Sequence, residues 1–124
     1  MSEIHLPHDH GENSANIARN MPEGQDFVDV AANFKQLGDS SRLRIFWLLC
    51  HCEECVINIS AMVKMSSPAV SHHLRLLKAS GFIQSRRAGK EVYYTAAKTP
   101  VAQLLHDMIK QLLALECPDM CHFE

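Results

Sequence analysis

Val56-Ile57-Asn58-Ile59-Ser60-Ala61-Met62-Val63-Lys64-Met65-Ser66-Ser67-Pro68-Ala69-Val70-Ser71-His72-His73-Leu74-Arg75-Leu76-Leu77 reads as two short helices around a tight turn. The first covers Val56 to Val63, and Lys64-Met65-Ser66 makes the turn. Ser67-Pro68 then opens a second helix with proline at its first position, where the missing N–H costs nothing. That helix runs from about Ser67 to Ser80, with Val70, Leu74 and Leu77 on one face and Ser67, Ser71, His72 and Arg75 left on the other. Two short helices joined in this way form a helix-turn-helix.

Beyond Gly81, Phe82-Ile83-Gln84-Ser85-Arg86 and Glu91-Val92-Tyr93-Tyr94-Thr95 read as two strands around Arg87-Ala88-Gly89-Lys90, a hairpin with a basic tip. Upstream, Asp39 or Ser40 caps a helix whose apolar residues Leu43, Ile45, Phe46, Trp47, Leu48 and Leu49 leave little polar face, as a buried central helix requires. Phe27, Val30, Ala31, Phe34 and Leu37 recur at helical spacing before the stop at Gly38. From Thr99-Pro100 a last helix carries Val101, Leu104, Leu105, Met108, Ile109, Leu112 and Leu113, a stripe too wide for one small domain to cover. The expected fold is mainly α with a small β-hairpin: a winged helix-turn-helix of four helices, two strands and a fifth helix, with a partner's helix covering the stripe.

The 124 residues suit one domain, and 47% hydrophobic content supports a core without disulfides. Order is expected from about Gln25. Residues 1–24 read as a mobile arm in which Pro7, Gly11, Pro22 and Gly24 break any long helix. Residues 25–115 form the DNA-binding and dimerisation domain, and 116–124 a tail rich in Cys and His. No run is apolar enough to span a bilayer and Met1-Ser2-Glu3-Ile4-His5 does not read as a secretory leader, so the reading is cytoplasmic, with no membrane partner.

The net charge of -2 hides a segregation. Residues 1–39 carry Glu3, Asp9, Glu12, Glu23, Asp26, Asp29 and Asp39 against Arg19 and Lys35. Residues 64–90 carry Lys64, Arg75, Lys78, Arg86, Arg87 and Lys90 and no acid. Phosphate binding needs such a local basic surface, whatever the total charge. Ser66, Ser67, Ser71, His72 and Arg75 stand near the start of the second motif helix, where side chains reach base edges; Arg86, Arg87 and Lys90 are placed to grip the backbone or minor groove. His73 and Leu76 read as packing residues.

These blocks resemble the ArsR/SmtB family of metal-responsive repressors over roughly Phe27 to Leu115. The resemblance rests on Lys35-Gln36-Leu37-Gly38-Asp39-Ser40-Ser41-Arg42-Leu43-Arg44-Ile45, on Pro68 to Leu77, on Ser80-Gly81-Phe82-Ile83 and on Arg86-Arg87-Ala88-Gly89-Lys90-Glu91-Val92-Tyr93-Tyr94, in the family's order. It implies a homodimer joined through the first and last helices, bound to double-stranded operator DNA and not an enzyme. The family's cysteine motif aligns with Glu54-Cys55-Val56-Ile57, so Cys55 keeps the first thiol and Ile57 replaces the second. The family's zinc positions on the last helix fall on Lys98, Pro100, Gln111 and Ala114, which are not zinc ligands, and that site is not expected here.

Cys50-His51-Cys52-Glu53-Glu54-Cys55 places three of the five cysteines within six residues, enough to surround one soft ion. Three thiolates suit As(III), Cd(II) or Pb(II), and a fourth ligand suits Zn(II) or Cd(II). Cys50, ending an apolar run, also reads as a small core residue. Cys117, Cys121 and His122 form a second cluster, weakened as a helical site by Pro118. His5, His8 and His10 offer imidazoles from the arm, as relatives' arms supply ligands across the dimer. His106 reads as a surface or interface histidine. The alternative trigger is thiol oxidation at Cys50, Cys52 or Cys55; a thiol oxidoreductase or metal chaperone ranks lower, lacking a CxxC in a βαβ context.

Overall fold

The computed structural model describes residues 5–116. The chain divides after Ala32 into two compact units. In the first, α1 (Glu12–Arg19) is an addition to the sequence reading: Gly11, with φ 100°, and Asn20 bracket it, so the residues taken as breakers flank a helix instead of interrupting one. α2 (Gly24–Leu37) crosses the division, with Asp26 in its first turn and Lys35 in its last, both favourable to the helix dipole.

The second unit holds the motif. α3 (Ser40–Leu49) starts where the Asp39 carboxylate accepts the Arg42 backbone N–H at 2.9 Å, and it buries Arg42, Ile45, Phe46 and Leu49. β1 (Glu54–Cys55) leads into α4 (Val56–Val63), which ends at Lys64 in the left-handed region, φ 57° and ψ 49°. This conformation makes the tight turn before Ser66, whose hydroxyl caps α5 (Ser67–Ala79) by accepting the Ala69 N–H at 3.3 Å. β2 (Ile83–Ala88) and β3 (Glu91–Ala96) pair antiparallel from Ile83↔Ala96 to Ala88↔Glu91. The two-residue loop between them puts Gly89 at φ 64°, the positive φ that turns matched to strand twist require. α6 (Pro100–Glu116) follows, its first turn capped by the Thr99 hydroxyl, which accepts the Ala102 N–H at 3.2 Å.

The wing is a three-stranded sheet ordered β1-β3-β2, where a bare hairpin was expected. Glu54 and Cys55 pair with Tyr94 and Tyr93 along the edge of β3 that β2 leaves open. A two-residue strand has no periodicity to read.

Ile45, Phe46, Leu49, Ile59, Val63, Val70, Leu74, Leu77, Phe82, Ile83 and Ala102 form the core, with Phe46 and Phe82 edge to face at 6.2 Å. Fully burying side chains of the Leu, Ile or Phe kind contributes about 1.5–3 kcal/mol each, which fixes α5 against α3 and α4. Leu105 and Ile109 also pack against this core, so the α6 stripe is narrower than the sequence alone suggests. Val101, Leu104, Met108, Leu112, Leu113 and Leu115 remain exposed, as do Phe27, Val28, Val30 and Phe34 on α2.

Candidate nucleic-acid interface and cysteine loop

α5 is two-sided. Val70, His73, Leu74 and Leu77 are buried, while Ser66, Ser67, Ser71, His72 and Arg75 are exposed at or near its N-terminal half. Ser67 leans on α4, its hydroxyl 3.2 Å from that of Ser60. Arg75 meets the His72 Nδ1 at 3.0 Å, so two candidate base-reading side chains already share one surface. Lys78 donates to the Ser85 hydroxyl at 2.7 Å and ties the end of α5 to β2.

α5 is also tied to α3 by a group the sequence reading passed over. Arg42, 9% exposed, donates from Nε to the His73 Nδ1 at 3.2 Å and from one terminal nitrogen to the Gln36 carbonyl and side-chain oxygens, each at 2.8 Å. Nδ1 can accept only when it is unprotonated, so this bond selects the tautomer with hydrogen on Nε2. Burial lowers the His73 pKa, with Arg42 and His72 acting in the same direction and Asp39 opposing. The Arg42 backbone N–H in turn lowers the Asp39 pKa. The charge on Arg42 and the conservative look of His73 as a packing residue concealed the pair.

On the wing, Arg87 and Lys90 are exposed near the tip, and Arg87 makes one long bond to the Gly89 carbonyl at 3.4 Å. Arg86 is engaged. Its Nε and a terminal nitrogen donate to the two Glu53 carboxylate oxygens at 2.8 and 2.6 Å, and its guanidinium lies 5.0 Å from the Tyr93 ring centre. This two-point bond raises the Arg86 pKa and lowers that of Glu53. Glu53 lies between Cys52 and Cys55, so the cysteine loop holds a wing arginine directly.

That loop is fixed against β3. Thr95 on β3 turns its hydroxyl to the Leu49 carbonyl at 3.2 Å, with the Cys52 carbonyl at 3.4 Å, and β1 pairs with β3. Cys50 is half-buried, and burial pushes its thiol up to about 12. Cys52 donates its thiol to the Leu48 carbonyl at 3.4 Å and is also raised, by burial and then by Glu54. Cys55 is buried. All three thiols are free, and among the described residues no group of three or more His, Cys, Asp or Glu side chains is arranged to hold a metal ion. The thiols share one loop without forming a ready cage. His5, His8 and His10 are exposed, with the His8 and His10 rings 5.9 Å apart. Cys117, Cys121 and His122 lie outside the described residues.

Comparison with known proteins places this geometry. A family described as "Bacterial regulatory protein, arsR family" matches residues 39–85, from the α3 cap to mid-β2. The chain is 38% identical over 95 residues to a cadmium resistance transcriptional regulatory protein CadC homologue of Staphylococcus aureus, covering 76% of this chain and 78% of that one. It is 39% identical over 83 residues to a transcriptional repressor SmtB homologue of Synechocystis, covering 67% of this chain but 63% of the relative's length. Among solved structures, a homodimeric winged helix-turn-helix DNA-binding domain from Mycobacterium bovis matches with TM-score 0.65 and 30% identity, over 85% of this chain and 96% of that one.

Proposed function

The chain belongs to the arsR family of bacterial regulatory proteins, transcription regulators and not enzymes, and from that premise we propose that it is a dimeric repressor released from operator DNA when Cys52 and Cys55 hold a soft metal ion. The observation that carries this reading is the attachment of the cysteine loop to the wing, through Cys55↔Tyr93 pairing and the Glu53–Arg86 bond. Closing Cys52 toward Cys55 draws on Glu53 between them, and so on Arg86 and β3. The opposite end of β1 leads directly into α4, which packs on α5. A change in the loop therefore reaches both DNA-contacting elements, as coupling between an effector and a DNA site requires.

Thiolate sulfur suits Cd(II), Zn(II), Pb(II) or As(III), and the cadmium in the name of the CadC relative supports the first. Cys50, half-buried and packed against the core, fits better as a core residue than as a ligand. Two thiols do not complete a coordination shell, so further donors come from outside the loop, with His5, His8 and His10 of the second copy's arm as candidates. Oxidation at Cys50, Cys52 or Cys55 is the second reading, and dependence of operator release on reductant in metal-free buffer separates it from ion binding.

Dimerisation is supported by the exposed apolar residues of α6 and by the homodimeric relative. A two-fold dimer places its recognition helices about 34 Å apart, one DNA turn. Leu104, exposed and outside the core, separates this role from folding. Leu104→Glu is expected to retain its helical circular dichroism, sediment as a monomer and lose operator binding; a Leu104→Glu dimer with wild-type operator affinity would remove α6 from the interface.

A further inference from the structure

Two histidines outside the thiol pair meet in the second unit. His51 follows α3, and His106 lies on α6, 55 residues away; their Nε2 atoms are 3.2 Å apart. The ring centres are 4.9 Å apart, so the rings open away from each other from their Nε2 ends and cross at 78°. Both side chains are half-buried, and Trp47 packs on His51 with ring centres 4.4 Å apart. The sequence reading of His106 as a surface or interface histidine missed this partner.

We propose that His51 and His106 form a two-imidazole chelating site for a borderline divalent transition ion, Zn(II) or Co(II), distinct from the thiols and joining the head of the cysteine loop to α6. An ion held at ~2.0–2.1 Å by two nitrogens in tetrahedral geometry needs those nitrogens roughly 3.3–3.4 Å apart. The observed 3.2 Å, at which one Nε2–H donates to the Nε2 of the other ring, is close to that span, and binding an ion through both Nε2 atoms moves this hydrogen to the Nδ1 of its own ring. Imidazole binds borderline ions through the neutral ring. Among the described residues no third ligating side chain joins the pair, and the proposed site takes water at its remaining positions. The ligands come from distant parts of the chain, and ion uptake fixes the segment leading into Cys52 against the helix that carries the exposed apolar stripe.

The proposal stands whether or not Cys52 and Cys55 bind an ion, and cobalt separates the two. Co(II) bound by imidazole and water shows visible ligand-field bands without the near-ultraviolet charge-transfer band of a thiolate. Full-length protein carrying Cys52→Ser and Cys55→Ser together is expected to take up one Co(II) per subunit with this signature. Added to it, His51→Gln and His106→Gln should each weaken that uptake by roughly tenfold or more. In the protein without those two thiols and with both histidines intact, the paramagnetic ion should broaden the His51 and His106 ring resonances first, a readout that needs no histidine variant to fold. Unchanged cobalt affinity in both histidine variants, broadening centred on His5, His8 and His10, or ligand-field bands that vanish with Cys52→Ser or Cys55→Ser would each overturn it.

Discussion

Arg42→Met tests whether the buried guanidinium orders the motif. Methionine keeps the apolar stem and removes every side-chain donor. The His73 Nδ1, on a side chain 9% exposed, is left without its partner at 3.2 Å, while Gln36, half-buried, can turn toward water. An orphaned buried acceptor costs about 1–3 kcal/mol, and the bonds to Gln36 contribute about 0.5–1.5 kcal/mol net, so the loss should be about 2–4 kcal/mol. That is a large part of the ~5–15 kcal/mol that holds a domain together. Urea unfolding at fixed protomer concentration measures it, since dimerisation is linked to stability. Adding His73→Leu should recover part of the loss by removing the orphan itself, giving a non-additive cycle. Operator affinity should fall in Arg42→Met because α5 loses the contact with α3 that positions it. A loss below about 0.5 kcal/mol, or a gain, would mean that desolvating the guanidinium cancels its bonds, and the positioning role would be refuted.

The two wing arginines should differ. Arg87→Ala is expected to reduce the slope of log affinity against log salt by about one unit, as for one phosphate contact, whereas Arg86→Ala should reduce it less and Glu53→Gln, by freeing Arg86, should steepen it; equal slopes for all three in fluorescence anisotropy would contradict the Glu53–Arg86 link. His73 also gives a pH dependence. Its folded pKa lies below the ordinary 6.5 because burial disfavours the cation, so the unfolded chain protonates first as pH falls. The stability it contributes is complete above 6.5 and is lost as pH falls through the folded value. Urea midpoints of wild type should drop across that window more than those of His73→Leu, and parallel curves would contradict the assignment.

The helical frame was legible because burial writes itself into period: Val70, Leu74 and Leu77 mark one face, and Asp39 marks a cap, while the capping role of Ser66, read as a turn residue, emerged only in the structure. What the sequence concealed depends on pairings distant in the chain. Arg42 meets His73, Glu53 meets Arg86, and His51 meets His106, each joining residues more than thirty positions apart. The basic wing was readable as charge, but not that one of its arginines is already held by an acid of the cysteine loop. The sequence placed Cys50, Cys52 and Cys55 together but could not show that Cys50 closes α3 with its side chain half in the core while Cys55 is drawn into β1. β1 escaped notice because its order comes from β3.

The most direct measurement titrates reduced, metal-free dimer on labelled operator DNA with Cd(II), following the thiolate-to-metal absorption band and DNA anisotropy in the same sample. Because the Cys52 thiol pKa is raised by burial and by Glu54, ion uptake must displace its proton, so apparent affinity should increase with pH. The account predicts that band and DNA release rise together in wild type, while Cys52→Ser and Cys55→Ser bind operator normally but stay bound as Cd(II) is added. Release of the Cys55→Ser protein at wild-type Cd(II) concentration, or a full thiolate band with the operator still held, would contradict it.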